Sequence, residues 1–156
     1  MLRISRLTDY GTMILVHLAG RAGHVCSASD VAAGTHVALP TVQKILKFLA
    51  RAGLVVSVRG ADGGYTLGRA PEAISAADIL DALEGPVAIT ECSQSDSQCE
   101  LESLCPVGSA WQRINKSIRV ALDEITLADL RGPARDIPVA ALTRGITRPL
   151  VRLDRG

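Results

Sequence analysis

The sequence predicts a mainly α-helical protein with one small β-hairpin, arranged as a winged helix-turn-helix domain followed by a long helix. Three observations predict this fold. A short helix, a turn and a longer helix fit residues 27–53, a hairpin with a glycine-rich turn fits 54–67, and a sustained helical period begins at Ser109. Aromatic residues make up only 3% of the 156-residue chain, so we expect a core of Leu, Val, Ile and Ala within one small domain.

The first fifty residues predict three helices. Residues 5–21 have a rough helical period with Asp9 in the first turn. Ser27, Ser29 and Asp30 are capping residues for a short second helix, which the 34–36 stretch should end. Pro40 suits the first position of a third helix, where its missing N–H costs no hydrogen bond. The apolar stripe of that helix comprises Val42, Ile45, Leu46 and Leu49.

The remaining elements follow from similar signals. Residues 54–58 and 65–67 predict the two strands of a wing, and Ser75 and Asp78 form a capping box for a helix that runs to Leu83. After the long helix, residues 126–130 predict a short capped turn. We therefore expect a DNA-binding domain at 1–70, a second part of the same compact unit at 71–132, and a flexible or loosely docked tail at 133–156.

Charge is distributed unevenly along the chain. Residues 1–70 contain eight Lys or Arg and three Asp or Glu, a net charge of +5. Residues 71–132 contain four and eleven, a net charge of −7, and the tail carries +3. This pattern indicates a polyanion-binding module joined to a part that does not bind the polyanion. The apolar run at 13–20 is too short to span a membrane, so we expect a cytoplasmic protein whose thiols stay reduced.

The third helix and the wing predict a DNA-binding surface. The second helix of a helix-turn-helix motif enters the major groove, where its N-terminal residues read base edges. Gln43 can bond adenine, and an arginine at the wing tip suits a narrow minor groove. The alternative is a solvated basic face that contacts protein. The predicted DNA-binding residues are Pro40, Thr41, Gln43, Lys44, Lys47, Arg59, Gly63 and Gly64.

Three of the four cysteines lie in a polar stretch at 91–105, as Cys92, Cys99 and Cys105. Thiolates select zinc or iron–sulfur clusters, and structural zinc sites prefer short C-x2-4-C pairs, which are missing from this stretch. The wider gaps favour a cluster, which needs a further ligand. Zinc or three unliganded thiols are the alternatives. The isolated Cys26 is interpreted as a small buried residue. Candidates for the further ligand are Asp9, His17, His24, His36, a backbone group or a second subunit.

The long helix predicts a subunit interface. Its apolar positions recur every three or four residues, which gives one narrow stripe among charged side chains. Packing within one subunit is the simpler interpretation. Because operators are often palindromic, antiparallel pairing of two such helices in a homodimer is favoured. The predicted interface residues are Trp111, Ile114, Ile118, Leu122 and Ile125.

Taken together, these segments resemble the iron–sulfur-sensing winged-helix transcription regulators, which include the Isc operon regulator and the nitric-oxide-sensing repressor. The resemblance is carried by SRLTDYGTMILVHLA, LPTVQKILKFLARAGLV, SVRGADGGYTL, the cysteine stretch and WQRINKSIRVALDEITLADL, which span residues 1 to about 132. LTDYG, ALEGPVAITEC and WQRIN look most like the subgroup that regulates the Suf assembly operon. The six-residue first gap between cysteines departs from the five usual in relatives.

The resemblance implies a homodimer with one cluster per subunit, held by Cys92, Cys99 and Cys105. Isc-type regulators add a histidine three residues after the last cysteine, where this chain has Gly108. The nitric-oxide-sensing type uses an aspartate near the start of the first helix of the other subunit, and Asp9 stands at that position. The implied cofactor is a 4Fe–4S cluster with three Cys and Asp, or else a 2Fe–2S cluster.

The sequence therefore predicts a transcription regulator that senses iron–sulfur cluster status and controls Suf-type genes. A nitric oxide or redox sensor that represses other genes is one alternative, and a small iron–sulfur electron-transfer or carrier protein is another. An enzyme is disfavoured because the sequence shows no nucleophile–base pairing and no phosphate loop. The expected partners are double-stranded DNA and a second copy of the chain, with no membrane and no small-molecule substrate.

Overall fold

Three helices, a two-stranded hairpin and a second group of helices form the fold in a computed structural model, in which residues 4–90 and 106–132 are described. The predicted winged, mainly helical fold is confirmed. The three clustered cysteines and the predicted tail lie outside these residues. The elements are α1 (Arg6–Ala19), α2 (Ala28–Thr35), α3 (Leu39–Arg51), β1 (Val55–Val58), β2 (Gly64–Leu67), a 3-10 turn (Pro71–Ala73), α4 (Ala76–Leu83), α5 (Gly108–Asp123) and α6 (Leu127–Arg131).

Side-chain caps begin most of these helices. The Ser5 hydroxyl accepts a hydrogen bond from the Thr8 N–H at the start of α1. Such caps satisfy backbone donors that have no partner within the helix. Reciprocal capping boxes, in which side chain and backbone bond both ways, confirm the predicted starts of α2 and α4. A third box shows that the turn predicted at 126–130 is a short helix. These boxes are Ser27–Asp30, Ser75–Asp78 and Thr126–Asp129.

The helix-turn-helix turn differs slightly from the prediction. The 34–36 stretch was expected to end the second helix, but α2 continues to Thr35 and ends at His36, whose φ is +57°. Gly34 lies inside the helix because the His17 ring of α1 packs against it. A Cβ at Gly34 would lie 2.1 Å from His17 Cε1. Val31 is the residue of α2 that is fully buried in the core, whereas Ala33 is exposed.

The wing is an antiparallel hairpin that is tied to the helical part of the domain. Val55 pairs with Leu67, and Val58 pairs with Gly64. Tyr65 also exchanges two main-chain hydrogen bonds with Cys26, of 2.8 and 2.9 Å. Cys26 is only 2% exposed, so its interpretation as a small buried residue is confirmed.

A single apolar cluster joins the front and back parts of the chain. As expected, it is built mainly from Leu, Ile and Val. Gly11 lies where α1 and α4 approach closely, since a Cβ there would lie 2.4 Å from Leu83 Cδ1 and the Leu83 side chain would have to move. The cluster includes Ile14, Leu15 and Leu18 of α1, Val42, Ile45, Leu46 and Leu49 of α3, Ile74, Ile79 and Leu83 around α4, and Leu127 of α6.

Two polar contacts fasten α1 at its ends. Glu84 Oε1, at the end of α4, accepts hydrogen bonds from the Ser5 N–H at 3.1 Å and from the Thr8 hydroxyl. These bonds, the one from Thr8 above all, lower the pKa of Glu84 below its usual range. At the other end, Arg131 Nη1 of α6 donates to the Ala19 carbonyl oxygen at 3.1 Å. Both contacts connect residues that are far apart in sequence.

His36→Gly should stabilise the protein. A non-glycine residue in the left-handed region costs about 1–2 kcal/mol, while a glycine lowers stability by roughly 0.5–1 kcal/mol because it increases the entropy of the unfolded chain. We expect a net gain in the free energy of unfolding of about 0.5–1 kcal/mol, measured by urea denaturation. The control is His24→Gly at an exposed turn position with negative φ, which should lose stability. Equal losses in both variants would contradict the strain at His36.

Glu84→Gln should lower stability at neutral pH and not in acid. The folded-state pKa of Glu84 lies below the unfolded value of about 4.3, so its contribution exists above that value and is lost as pH falls through the folded pKa. Because the side chain is exposed, we expect an effect below about 1 kcal/mol at pH 7 that disappears once acid protonates the carboxyl in the folded state as well. Glu72→Gln on the 3-10 turn is the matched control. A difference that persists in acid would contradict the charge-dependent contact.

Candidate nucleic-acid interface

One face of α3 is buried and the other is open to solvent. Val42, Ile45, Leu46 and Leu49 are each 0% exposed, which fixes the rotation of the helix about its axis. The opposite face is therefore turned outward. Of the residues predicted to contact DNA on this helix, Thr41 is half-buried and the others are exposed, namely Pro40, Gln43, Lys44 and Lys47.

The start of α3 suits a negatively charged group. Ala38 occupies the capping position without a side-chain hydrogen bond, and the first turn contains no acidic residue. The backbone N–H groups and the helix dipole make a helix N-terminus favourable for anions such as phosphate. Lys44 and Lys47 add positive charge along the same exposed face. The face is therefore chemically suited to a nucleic-acid backbone.

A helix-ending motif sets the position of the wing relative to α3. Gly53, with φ of +71°, follows the helix, and the Leu54 N–H donates back to the Leu49 carbonyl oxygen at 3.0 Å. This 6→1 bond is typical of a Schellman motif. On the returning strand side, the Gly68 N–H donates to the Leu54 oxygen at 2.9 Å. The wing therefore leaves the recognition helix in a defined direction.

The wing tip exposes Arg59 and closes tightly behind it. The Gly63 N–H donates to the Gly60 oxygen at 3.0 Å, and a Cβ at Gly63 would lie 2.7 Å from the Val58 oxygen. A Cβ at Gly64 would lie 2.4 Å from the Cys26 oxygen. Gly63 and Gly64, predicted as DNA contacts, are thus required by the packing of the wing itself, a role that the sequence analysis missed.

The cysteine stretch is described only through its flanks. Cys92, Cys99 and Cys105 lie outside the described residues. Before the stretch, the Ile89 N–H donates to Asn115 Oδ1 of α5 at 3.2 Å. After it, Gly108 is the buried first residue of α5. Within residues 4–90 and 106–132, no three His, Cys, Asp or Glu side chains are grouped closely enough to hold a metal ion.

The other candidate ligands lie in different environments. Asp9 is exposed in the first turn of α1, next to Thr8. His24 and His36 are exposed, as expected. His17 lies on α1, and its Nε2 is buried without a hydrogen-bond partner in the described structure. Burial first, and then Arg21, lower the pKa of His17, which Asp30 partly offsets.

The apolar stripe of α5 is only partly covered. Of the predicted interface residues, Trp111 is 40% and Ile114 is 44% exposed, while Ile118, Leu122 and Ile125 are half-buried. The sequence analysis missed Val107, which is 53% exposed and lies one helical turn before Trp111. Extending the same period backwards by four residues would have found it. Among the helices that the structure describes, none is long and apolar enough to cross a membrane.

Comparisons with known proteins find the same architecture. The Rrf2 family, described as "Iron-dependent Transcriptional regulator", matches residues 4–132. The HTH-type transcriptional regulator CymR of Bacillus subtilis is 35% identical over 130 residues, which cover 83% of this chain and 89% of CymR. The structure of B. subtilis CymR, titled "the Global Cysteine Regulator", superimposes with a TM-score of 0.65 at 36% identity, over 84% of this chain and 97% of that one.

A second solved structure, IscR of T. potens, is 34% identical with a TM-score of 0.62, over 83% of this chain and 85% of that chain. Each of these relatives covers more than four-fifths of this chain. The chain therefore belongs to the Rrf2 family of transcriptional regulators, which are not enzymes.

Arg59→Ala should weaken DNA binding without changing the fold. Loss of one groove or phosphate contact costs about 1–3 kcal/mol, which corresponds to a roughly 5- to 150-fold weaker affinity. The measurement is a titration of a duplex that carries the site footprinted upstream of the protein's own gene. Arg113→Ala is the matched control, because Arg113 is an exposed arginine on α5. Equal affinity for Arg59→Ala and wild type would contradict a role for the wing tip.

Proposed function

We propose that this Rrf2 regulator binds operator DNA as a cytoplasmic homodimer and senses an iron–sulfur cluster held by its own cysteine stretch. One observation carries the DNA-binding part of the proposal. The recognition helix has one fully buried face, and this forces Gln43, Lys44 and Lys47 outward on the opposite face. Arg59 on the wing supplies a second contact, so the two elements together fit a major groove and a neighbouring minor groove.

Cys92, Cys99 and Cys105 would hold the cluster, together with Asp9 of the partner subunit. The donor set fits an iron–sulfur cluster, since soft thiolates select such clusters and three of them leave one position for another ligand. Gly108 offers no side chain at the position where Isc-type regulators have a histidine. Asp9 is exposed, and within the described residues its carboxylate makes no hydrogen bond or ion pair. It is therefore free to reach outside its own subunit.

The position of Asp9 supports a coupling between the cluster and DNA binding. Asp9 lies in α1, and α1 packs against both α2 and α3 of the DNA-binding motif. When bound, the cluster would form a bond to Asp9, and the presence of that bond would depend on iron, oxygen or nitric oxide. Binding through Asp9 would favour dimers in which the two α1 helices have one particular placement. Such a bias shifts the population of DNA-competent dimers.

We further propose that the regulated genes encode Suf-type cluster assembly. The support is the resemblance of LTDYG, ALEGPVAITEC and WQRIN to the Suf subgroup, and the likeness to an IscR. A regulator of other genes is the second candidate, favoured by the 35% identity to CymR. The structure of that relative is titled a global cysteine regulator. The second candidate does not require an iron–sulfur cluster.

Anaerobically purified protein should be coloured and should contain stoichiometric iron and sulfide. Cys99→Ala should remove the colour, because the two thiolates that remain cannot hold the cluster. Cys26→Ala should keep it, since Cys26 is buried in the core of the domain. Colourless wild-type protein with stoichiometric zinc would contradict the cluster and favour the second candidate.

Asp9→Ala should leave the cluster in place but make it at least tenfold more labile to a chelator, without lowering the thermal stability of the apo protein. Asp62→Ala in the wing turn is the matched control and should behave as wild type. The readout is the decay rate of the cluster absorbance. Footprints of the upstream region with and without cluster then report the coupling. Wild-type decay in Asp9→Ala would contradict the cross-subunit ligand and leave the DNA-binding proposal intact.

A further inference from the structure

We propose that the ion pair between Arg119 of α5 and Asp81 of α4 is a specificity-determining contact, which sets the spacing of the two half-sites that the dimer accepts. The inference rests on the proposed function, because it assumes that α5 helices pair in a dimer that binds a two-part operator. It adds a residue role that neither the DNA-binding face nor the cysteine stretch supplies. The support comes from how α5 is attached to the rest of the subunit.

Apolar packing holds α5 only weakly in its own subunit. Among the described residues of α5, Gly108 is the only buried one. Trp111 and Ile114 remain open to solvent, and Ile118 and Leu122 are half-buried. Side-chain packing sets preferred angles between helices, and a stripe that is only partly covered sets them less firmly. The orientation of α5 therefore also depends on polar contacts.

Directional polar contacts lie on the flank of the stripe. Arg119 Nη2 lies 2.7 Å from Asp81 Oδ2, and Arg119 Nη1 donates to Asp81 Oδ1 at 2.9 Å. Such a fork of two parallel bonds fixes geometry as well as charge. Arg119 Nε also lies 3.5 Å from Asp123 Oδ2, and Ser75 donates to the other Asp123 oxygen at 3.5 Å. One turn earlier, Asn115 accepts from the Ile89 N–H.

The other partner, α4, is rigidly attached to the DNA-binding domain. Ala77 and Ile79 are buried in the shared core, and α4 packs against both α1 and α3. Glu84 at the end of α4 is bonded to Ser5 and Thr8 of α1. The angle between α5 and α4, which the Arg119–Asp81 pair sets, therefore also determines the orientation of α3 relative to α5, because no flexible segment separates α4 from α3 in their packing.

A small change in this angle matters on the scale of DNA. The 16 residues of α5 span about 24 Å at 1.5 Å per residue. A rotation of about 10° over that length displaces one end by roughly 4 Å, close to the 3.4 Å rise of one base pair. Half-site spacing in dimeric helix-turn-helix proteins follows directly from the separation of the two recognition helices. A loosened α4–α5 contact should therefore relax spacing preference by about one base pair.

The simpler interpretation is that the pair only adds stability. Arg119 and Asp81 side chains are 36% and 31% exposed, and ion pairs this exposed often add little to the stability of a protein. A merely stabilising pair would alter the melting temperature of the protein and leave its choice among operators unchanged. Spacing preference is thus the readout that separates the two roles.

The experiment uses the full chain and an operator selected by the wild-type protein from a pool of random 40-base-pair duplexes. Affinities are measured for a duplex with the selected half-site spacing and for duplexes in which the spacing is one base pair shorter, one longer or two longer. A duplex with a single half-site is the reference. Wild type should prefer the selected spacing at least tenfold. Asp81→Asn and Arg119→Gln should reduce that preference to threefold or less, with half-site affinity unchanged.

Arg119→Lys keeps the charge and loses the fork, so it should show an intermediate preference even if the neutral variants fold poorly. Arg113→Lys and Lys116→Gln, at exposed positions of the same helix, should keep the wild-type preference. Folded, dimeric Arg119 variants with wild-type spacing preference would overturn the inference. Wild-type protein that selects no sequence, or sediments as a monomer, would instead overturn the proposed function.

Discussion

The complete burial of one side of α3 is the constraint on which the rest of the structure depends. Four apolar side chains of this helix are excluded from solvent against α1 and α4, and each would cost about 1.5–3 kcal/mol to expose. A rotation of α3 by one residue would carry a lysine into the core, where an unpaired charge is far more costly. The outward direction of Gln43, Lys44 and Lys47 is therefore a consequence of core packing. The face that packs into the core and the face proposed to contact DNA are opposite sides of the same thirteen-residue helix.

The local features of the fold could be predicted from sequence because their causes are local. Ser27 with Asp30, and Ser75 with Asp78, lie three residues apart, so a capping box is visible in the sequence itself. The stripe of α3 and the glycines of the wing are visible for the same reason. These elements were sufficient to predict the winged fold and the exposed basic face that is the candidate DNA site.

The contacts that connect the elements could not be predicted, because each joins distant parts of the chain. Glu84 meets Thr8 across 76 residues, and Arg131 meets Ala19 across 112. Gly34 was expected to help end the second helix. The neighbouring sequence does not show whether a glycine ends a helix or leaves room for a side chain from elsewhere, which here is the His17 ring. The Asp81–Arg119 pair spans 38 residues and two helices. The periodicity of the sequence therefore indicates which residues of a helix face outward. Only the structure shows which distant helix those residues contact.

The bond between Tyr65 and Cys26 also bears on solubility. A two-stranded hairpin has two edges with unpaired backbone groups, and such edges are templates for aggregation with other chains. Here the outer edge of β2 is occupied at Tyr65 by the main chain of Cys26, which leaves β1 as the open side of the described hairpin. Because only backbone atoms of Cys26 take part, any small residue that packs there could preserve this protection. The wing can therefore stay long enough to reach DNA without both of its edges being open to self-association.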